Sequence, residues 1–214
     1  MTRMLSTLLF LAVCISAHAQ EFAHPYASVG EITASYGNQS SLGSGTLIGV
    51  IREEDRGVVA TCAHLFRDGQ PQEIVVAFPS GAHRAIIHRI DMDQDLCLLL
   101  ITAPDCQPVK IGPPTQEMMI AGYGGRKGLM VQAGRIGEFY SGGRFRQVAG
   151  AQARSGDSGG AVFNKYGELS SVLWGANTEG TMASSHERFT LFCSAASRYI
   201  EKQCPGGVCQ PGWS

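Results

Sequence analysis

The sequence predicts an all-β protein built as two small barrels side by side. Three observations carry that expectation. Gly occurs 27 times and Pro 9 times in 214 residues, which cuts the chain into short pieces and argues against a bundle of long helices. The apolar and β-branched runs are short and are bounded by Gly, Pro, Asp or Asn, the pattern of strands joined by turns. A Pro-containing connector at Ala103–Pro114 divides these runs into two similar groups, although no repeat is visible in the sequence itself.

The elements follow in order. Arg3, an apolar stretch from Leu5 to Ile15 and the small-x-small triplet Ala17-His18-Ala19 read as a signal peptide over residues 1–19, removed on export. A lipoprotein signal around Cys14 is the weaker alternative, because Val13 stands where a small residue is expected. Residues 20–42 read as a polar lead-in. Strands are expected at Ser44–Ile51, Gly57–Cys62, Glu73–Phe78, His83–Ile90 and Asp95–Ile101, a first barrel over about 42–102. A second barrel over about 115–193 takes Glu117–Tyr123, Leu129–Tyr140, Phe145–Ala149, Gly160–Asn164, Leu169–Ala176 and Phe189–Cys193. A helix is expected only at Ser194–Gln203, with Ser194 as its N-cap, followed by a terminal tail over 204–214.

Composition excludes several function classes. With 17 basic against 18 acidic residues, the net charge of −1 offers no basic patch for a nucleic acid. At 44% apolar and 16% charged, the chain is too apolar to be disordered, yet no stretch has the ~20 apolar residues of a membrane span. Six cysteines remain after the leader: Cys62, Cys97, Cys106, Cys193, Cys204 and Cys209. An even number in an exported chain is consistent with up to three disulfides. A zinc site is disfavoured, since there is no C-x-x-C pair and His64 is the only His near a Cys. No metal or cofactor is expected.

Three motifs carry chemistry. Gly156-Asp157-Ser158-Gly159-Gly160 places a Ser between glycines, which lets the backbone turn sharply and aim two N–H groups at one point. Val58-Val59-Ala60-Thr61-Cys62-Ala63-His64 is a strand ending in a His, and Asp95-Leu96-Cys97-Leu98-Leu99-Leu100 is an acid opening an apolar strand. Asp95 is preferred over Asp91 and Asp93 because the apolar strand follows it directly. With these residues the sequence resembles the trypsin-like (chymotrypsin-fold) serine proteases. Their T-A-A-H appears as Thr61 to His64, their D-[IL]-A-L-L as Asp95 to Leu99, and their G-D-S-G-G is matched throughout. The chain order His, Asp, Ser is also theirs. Leu173-Trp174-Gly175 stands where the family has S-W-G.

The resemblance, over about residues 42–203, implies two six-stranded antiparallel barrels and a short C-terminal helix. It implies an enzyme that cuts protein or peptide substrates without a cofactor, and with the leader over 1–19 a secreted or periplasmic monomer is expected. His64 would be the general base, Asp95 its orienting acid and Ser158 the nucleophile, with the Gly156 and Ser158 N–H groups as the oxyanion hole. It further implies that Gln152 forms the floor of the specificity pocket and that Trp174 and Gly175 form a wall. Gln152 is uncharged, so a medium to large uncharged residue before the cut is expected. A basic residue is the runner-up, if Glu187 reaches the pocket. The family position of Cys193 implies a bridge to Cys106. Cys62 and Cys97 lie on neighbouring strands of this fold and either pair or stay as buried thiols, while Cys204 and Cys209 could close a small loop.

Two rival readings share these residues. Gly156-x-Ser158-x-Gly160 also fits the nucleophile elbow of α/β-hydrolases, but only Glu168 and His186 follow the Ser as partners, and strands do not alternate with helices. A catalytically weak or inactive protease fold acting as a binding module is the second. The chain also departs from the digestive enzymes. It is shorter between motifs, with Leu65 after the His and Arg154 where a Cys is usual. It also lacks the activation sequence whose freed amine pairs with the acid beside the nucleophile, here Asp157. Another partner for Asp157 is therefore expected.

Overall fold

The structure, a computed structural model, describes residues 25–178 and 180–203. The leader 1–19, the tail 204–214 and with it Cys204 and Cys209 lie outside them.

Strands β1 (Val29–Tyr36), β2 (Gln39–Ile51), β3 (Arg56–Thr61), β4 (Glu73–Phe78), β5 (Gly81–Asp91) and β6 (Leu96–Thr102) close one barrel in the order β1-β2-β3-β6-β5-β4. Strands β7 (Glu117–Gly122), β8 (Met130–Tyr140), β9 (Phe145–Ala149), β10 (Ala161–Asn164), β11 (Leu169–Asn177) and β12 (Gly180–Ser184) close the other. Read from β7 the order is β7-β8-β9-β12-β11-β10, so the two barrels share one topology. All strand pairs are antiparallel. Closure leaves neither sheet with a free edge. The alternation is clear in β4, where Ile74, Val76 and Phe78 are buried between more exposed neighbours.

Three expectations need correction. The lead-in 20–42 contains β1 and the start of β2, so the first barrel begins at Val29. In β1 the buried residues Gly30, Ile32 and Ala34 alternate with Glu31, Thr33 and Ser35, an inward row too small to stand out as apolar. The run Phe189–Cys193 is not a strand, and the helix does not start at Ser194. Both belong to helix α1, His186–Gln203. Phe189, Phe192 and Cys193 are buried while Leu191 is 68% exposed, which is an i, i+3, i+4 face hidden in a continuous apolar run. The strand that completes the second barrel is instead β12, whose Gly180-Thr181-Met182-Ala183-Ser184 has one large apolar side chain. The apolar face of α1 joins the same core cluster as Leu47, Val59 and Leu99 of the first barrel.

The expected Cys106–Cys193 bridge is corrected as well, while Cys62 and Cys97 take the buried-thiol alternative. No disulfide joins Cys62, Cys97, Cys106 and Cys193. Cys106, in the connector, and Cys193, on α1, are not bridged. Burial raises the pKa of all four thiols, and the carboxylate of Asp95 adds to this at Cys62 and Cys97. They therefore stay protonated and unreactive. Protein denatured directly into an alkylating reagent is expected to carry one label on each of these four cysteines. Peptide mapping by mass spectrometry checks this, and a Cys106–Cys193 crosslink would refute it.

Candidate active site

The site lies between the barrels and is assembled from both. β3 ends at Thr61 and runs into a single 3-10 turn, Ala63–Phe66, that carries His64. Asp95 stands one residue ahead of β6 with a left-handed backbone, φ 54°, a conformation Asp and Asn tolerate better than most residues. From there its carboxylate clamps His64 at two points. The His64 backbone N–H donates to Oδ1 at 2.7 Å, and Nδ1 meets Oδ2 at 2.7 Å. Asp95 is 8% exposed and His64 22%, so the acid is hidden and the imidazole reaches the cleft.

Ser158 sits in the tight loop between β9 and β10. The loop is held by Asp157 N–H to Arg154 O, Gly160 N–H to Asp157 O and Gly159 N–H to Leu173 O. Gly156 and Gly159 have φ of 93° and 85°, values that a side chain would strain. At Gly159 space is also denied, since a Cβ would lie 2.1 Å from Thr61 Oγ1 and 2.2 Å from Ser44 O. Gly159→Ala is expected to destabilise the protein by more than the ~1–2 kcal/mol of the left-handed backbone alone. A urea titration checks this, and an unchanged midpoint would refute it.

Ser44, on β2 of the first barrel, ties this loop down from across the cleft. Its N–H donates to Ser158 O at 2.8 Å, its hydroxyl donates to Gly156 O at 2.9 Å and accepts from the Tyr123 N–H at 2.8 Å, and its own carbonyl accepts from Thr61 Oγ1 at 2.7 Å. No sequence signal marks it, because its loop partners lie more than a hundred residues away along the chain. The N–H groups of Gly156 and Ser158 donate to no acceptor among the described residues, the state required of donors kept for a reacting oxygen.

His64, Ser158, Trp174 and Gly175 line one cleft of ≈ 460 Å³ with Arg67, Ala153, Arg154, Ser155 and Ala176. The Trp174 indole packs edge-on against the His64 ring and lies 5.3 Å from the Phe145 ring. Gln152 is elsewhere. It is exposed and paired to Gln132 through two 3.0 Å bonds, N–H to Oε1 and Nε2 to O. Glu187 is exposed in the first turn of α1 and does not line the cleft. No carboxylate lines the cleft among the described residues, while Arg67 and Arg154 both do.

The hydroxyl of Ser158 donates to Trp174 O at 2.9 Å, and His64 Nε2 faces Cys62 Sγ at 3.6 Å. The Ser158–His64 hydrogen bond is thus not made in this conformation; such bonds often form only when substrate arrives. Cys62, His64 and Asp95 are also the one group of potential metal ligands that the described residues bring together. Both Asp95 oxygens are already taken by His64, and burial keeps Cys62 as a thiol rather than the thiolate a metal needs. The trio therefore fits a metal ion poorly.

Asp157 does have the other partner expected of it. It is 0% exposed and accepts from the Gly124 N–H at 2.6 Å, from the Arg154 N–H at 2.7 Å and from Arg154 Nε at 3.4 Å.

Two closed barrels that bring a clamped His–Asp pair and a glycine-flanked Ser to one cleft define a serine-protease fold. The family model of the trypsin-like peptidase domain matches residues 43–171, and the chain belongs to that family. No curated protein matches the chain by sequence. Among solved structures it is similar to a serine endoprotease from Yersinia pestis, with 24% identity and a TM-score of 0.70 over 81% of this chain and 64% of that one. It is also similar to the Rv3671c protease of M. tuberculosis in its active form, with 18% identity and a TM-score of 0.64 over 79% of this chain and 81% of that one. A third is the HtrA-type protease AlgW with a tripeptide, with 20% identity and a TM-score of 0.65 over 83% of this chain and 62% of that one. The chain thus spans less than two thirds of the first and third of these proteins.

Proposed function

We propose that the chain is an exported serine endopeptidase working through His64, Asp95 and Ser158. The observation that carries this reading is the two-point Asp95 clamp on a His64 that shares a cleft with Ser158. Asp95 holds Nδ1 protonated, which keeps the lone pair on Nε2, where the Cys62 thiol sits at 3.6 Å and gives way before Nε2 acts as base. On substrate binding the Ser158 hydroxyl leaves Trp174 O and gives its proton to Nε2 as Oγ attacks the scissile carbonyl carbon. The carbonyl oxygen takes the negative charge and is met by the Gly156 and Ser158 N–H groups, a contribution of about 3 kcal/mol per donor. Collapse expels the amine, which takes the proton from His64, and water then hydrolyses the acyl-enzyme by the same route.

The substrate is a protein or peptide with a medium to large uncharged residue before the cut. The cleft has a Trp174 wall and, among the described residues, no carboxylate to hold a Lys or Arg side chain. Export is supported by the leader-like residues 1–19. No helix among the described residues is long and apolar enough to cross a membrane. The net charge of −1 argues against a nucleic-acid partner, and we take the protein to act as a monomer away from the membrane.

One observation favours the binding-module reading, namely the Ser158 hydroxyl bonded to Trp174 O instead of His64. A fluorophosphonate probe and a peptide library separate the two. The enzyme reading expects one adduct, on Ser158, and a cleavage profile that the probe abolishes. An intact library with no adduct would leave the binding module.

A further inference from the structure

We propose that Arg154 is a positioning residue: its guanidinium is a built-in counter-ion for Asp157, and it holds the 156–158 backbone ready to receive an oxyanion without any freed N-terminal amine. This rests on the endopeptidase reading above.

The argument begins with Asp157. A carboxylate with no exposure must be paired and hydrogen-bonded, because removing an isolated charge from water is very costly. Its Oδ1 accepts from Gly124 and its Oδ2 from the Arg154 N–H and Nε. Arg154 is the only cation bonded to it among the described side chains. The pocket around it is closely shaped. A Cβ on Gly122 would come within 2.8 Å of Asp157 Oδ1, and one on Gly124 within 2.5 Å. Glycine at these two positions makes room for the inward-turned carboxylate.

Asp157 lies between the two residues whose N–H groups have no acceptor among the described residues, so its side chain and those donors move together. With the carboxylate turned in, the Gly156 and Ser158 N–H groups stay without protein acceptors. Without Arg154 the buried charge loses its counter-ion. The loop then relieves the cost by turning Asp157 toward solvent, and the donors turn with it. Arg154 and Asp157 are three residues apart in one loop, so the pair forms as the loop folds and requires no cleavage elsewhere.

The groups around the pair leave little else to titrate there. Tyr123, after β7, has its phenol pKa raised by burial and then by Glu31 of β1. His64 and Arg67 line the same cleft as Arg154, and Asp157 does not. A guanidinium keeps its proton to far higher pH than an α-amine, which loses it near pH ~8.

The test uses the full chain as wild type, Arg154→Met and Arg154→Lys, each with folding checked by circular dichroism. Turnover, KM and fluorophosphonate labelling are measured from pH 7 to pH 10. The Met variant is expected to fold and to lose about 10²- to 10³-fold in kcat, the scale of a lost oxyanion donor. Its KM should change less than about threefold, and the Lys variant should recover a large part of the rate. Wild type carrying an uncleavable N-terminal extension should be fully active, with no fall in rate between pH 8 and pH 10. Full kcat in the Met variant, or activity that appears only once an N-terminus is freed, would overturn the proposal while leaving the endopeptidase reading intact. Wild type that neither turns over nor labels would overturn both. If the Met variant does not fold, the extended wild type and its pH profile decide alone.

Discussion

Ser158→Ala is expected to lower peptide hydrolysis by about 10⁴- to 10⁶-fold while leaving the unfolding midpoint within ~0.5 kcal/mol of wild type. The loss is this large because the step removed is covalent. Without Oγ there is no acyl-enzyme, and what remains is whatever the Gly156 and Ser158 N–H groups contribute to attack by water. Stability changes little because the hydroxyl makes only the bond to Trp174 O, whereas the loop is held through backbone groups that Ala keeps, including Ser44 N–H to Ser158 O. Steady-state rates on a cleaved library peptide, with a denaturant titration on the same preparation, give both numbers. Hydrolysis within tenfold of wild type would remove Ser158 from the mechanism.

Asp95→Asn is expected to cost about 10³- to 10⁴-fold in kcat with KM nearly unchanged. Asn accepts the left-handed backbone at this position, so the turn survives and the defect is chemical. One oxygen must still accept the His64 backbone N–H, the half of the clamp whose donor is fixed. The amide NH₂ is then left facing Nδ1, where Oδ2 now accepts. Donor against donor is repulsive, so the imidazole moves its proton to Nε2 and presents N–H to Ser158 where a lone pair is required. The pH–rate profile distinguishes this from simple weakening. A wrong tautomer lowers the plateau at every pH, and a rate restored merely by raising pH would contradict it.

How much of this was legible in the sequence depended on range. The Thr61–His64, Asp95–Leu99 and Gly156–Gly160 segments were readable because each function demands its residues within one short stretch. The strands with large alternating side chains were readable for the same reason. β1 and β12 were missed because Ile32 and Met182 are the lone large side chains among buried positions otherwise taken by small residues such as Gly30, Ala34, Ala183 and Ser184. The start of α1 was missed because Phe189-Thr190-Leu191-Phe192-Cys193 is apolar throughout, and periodicity cannot separate a buried strand from a helix over five residues. Gln152 was assigned to the cleft by position in a motif, whereas its backbone is engaged by Gln132 from β8. Ser44 and Gly124 act on the nucleophile loop through space alone. Arg154 was visible as a departure from the family pattern, but its partner could be seen only once the carboxylate of Asp157 was found turned inward.

The Ser44 clasp has a consequence for a chain that is made from one end to the other. In the proposed mechanism the base and its acid belong to the half that is synthesised first, and the nucleophile to the half that follows. A nascent chain that has finished β6 carries His64 and Asp95 with nothing to activate. The nucleophile loop gains its anchor only when it meets β2 of the completed first half. Cutting power is therefore withheld until both halves are folded and docked, which protects the chain's own unfolded segments while they are most exposed.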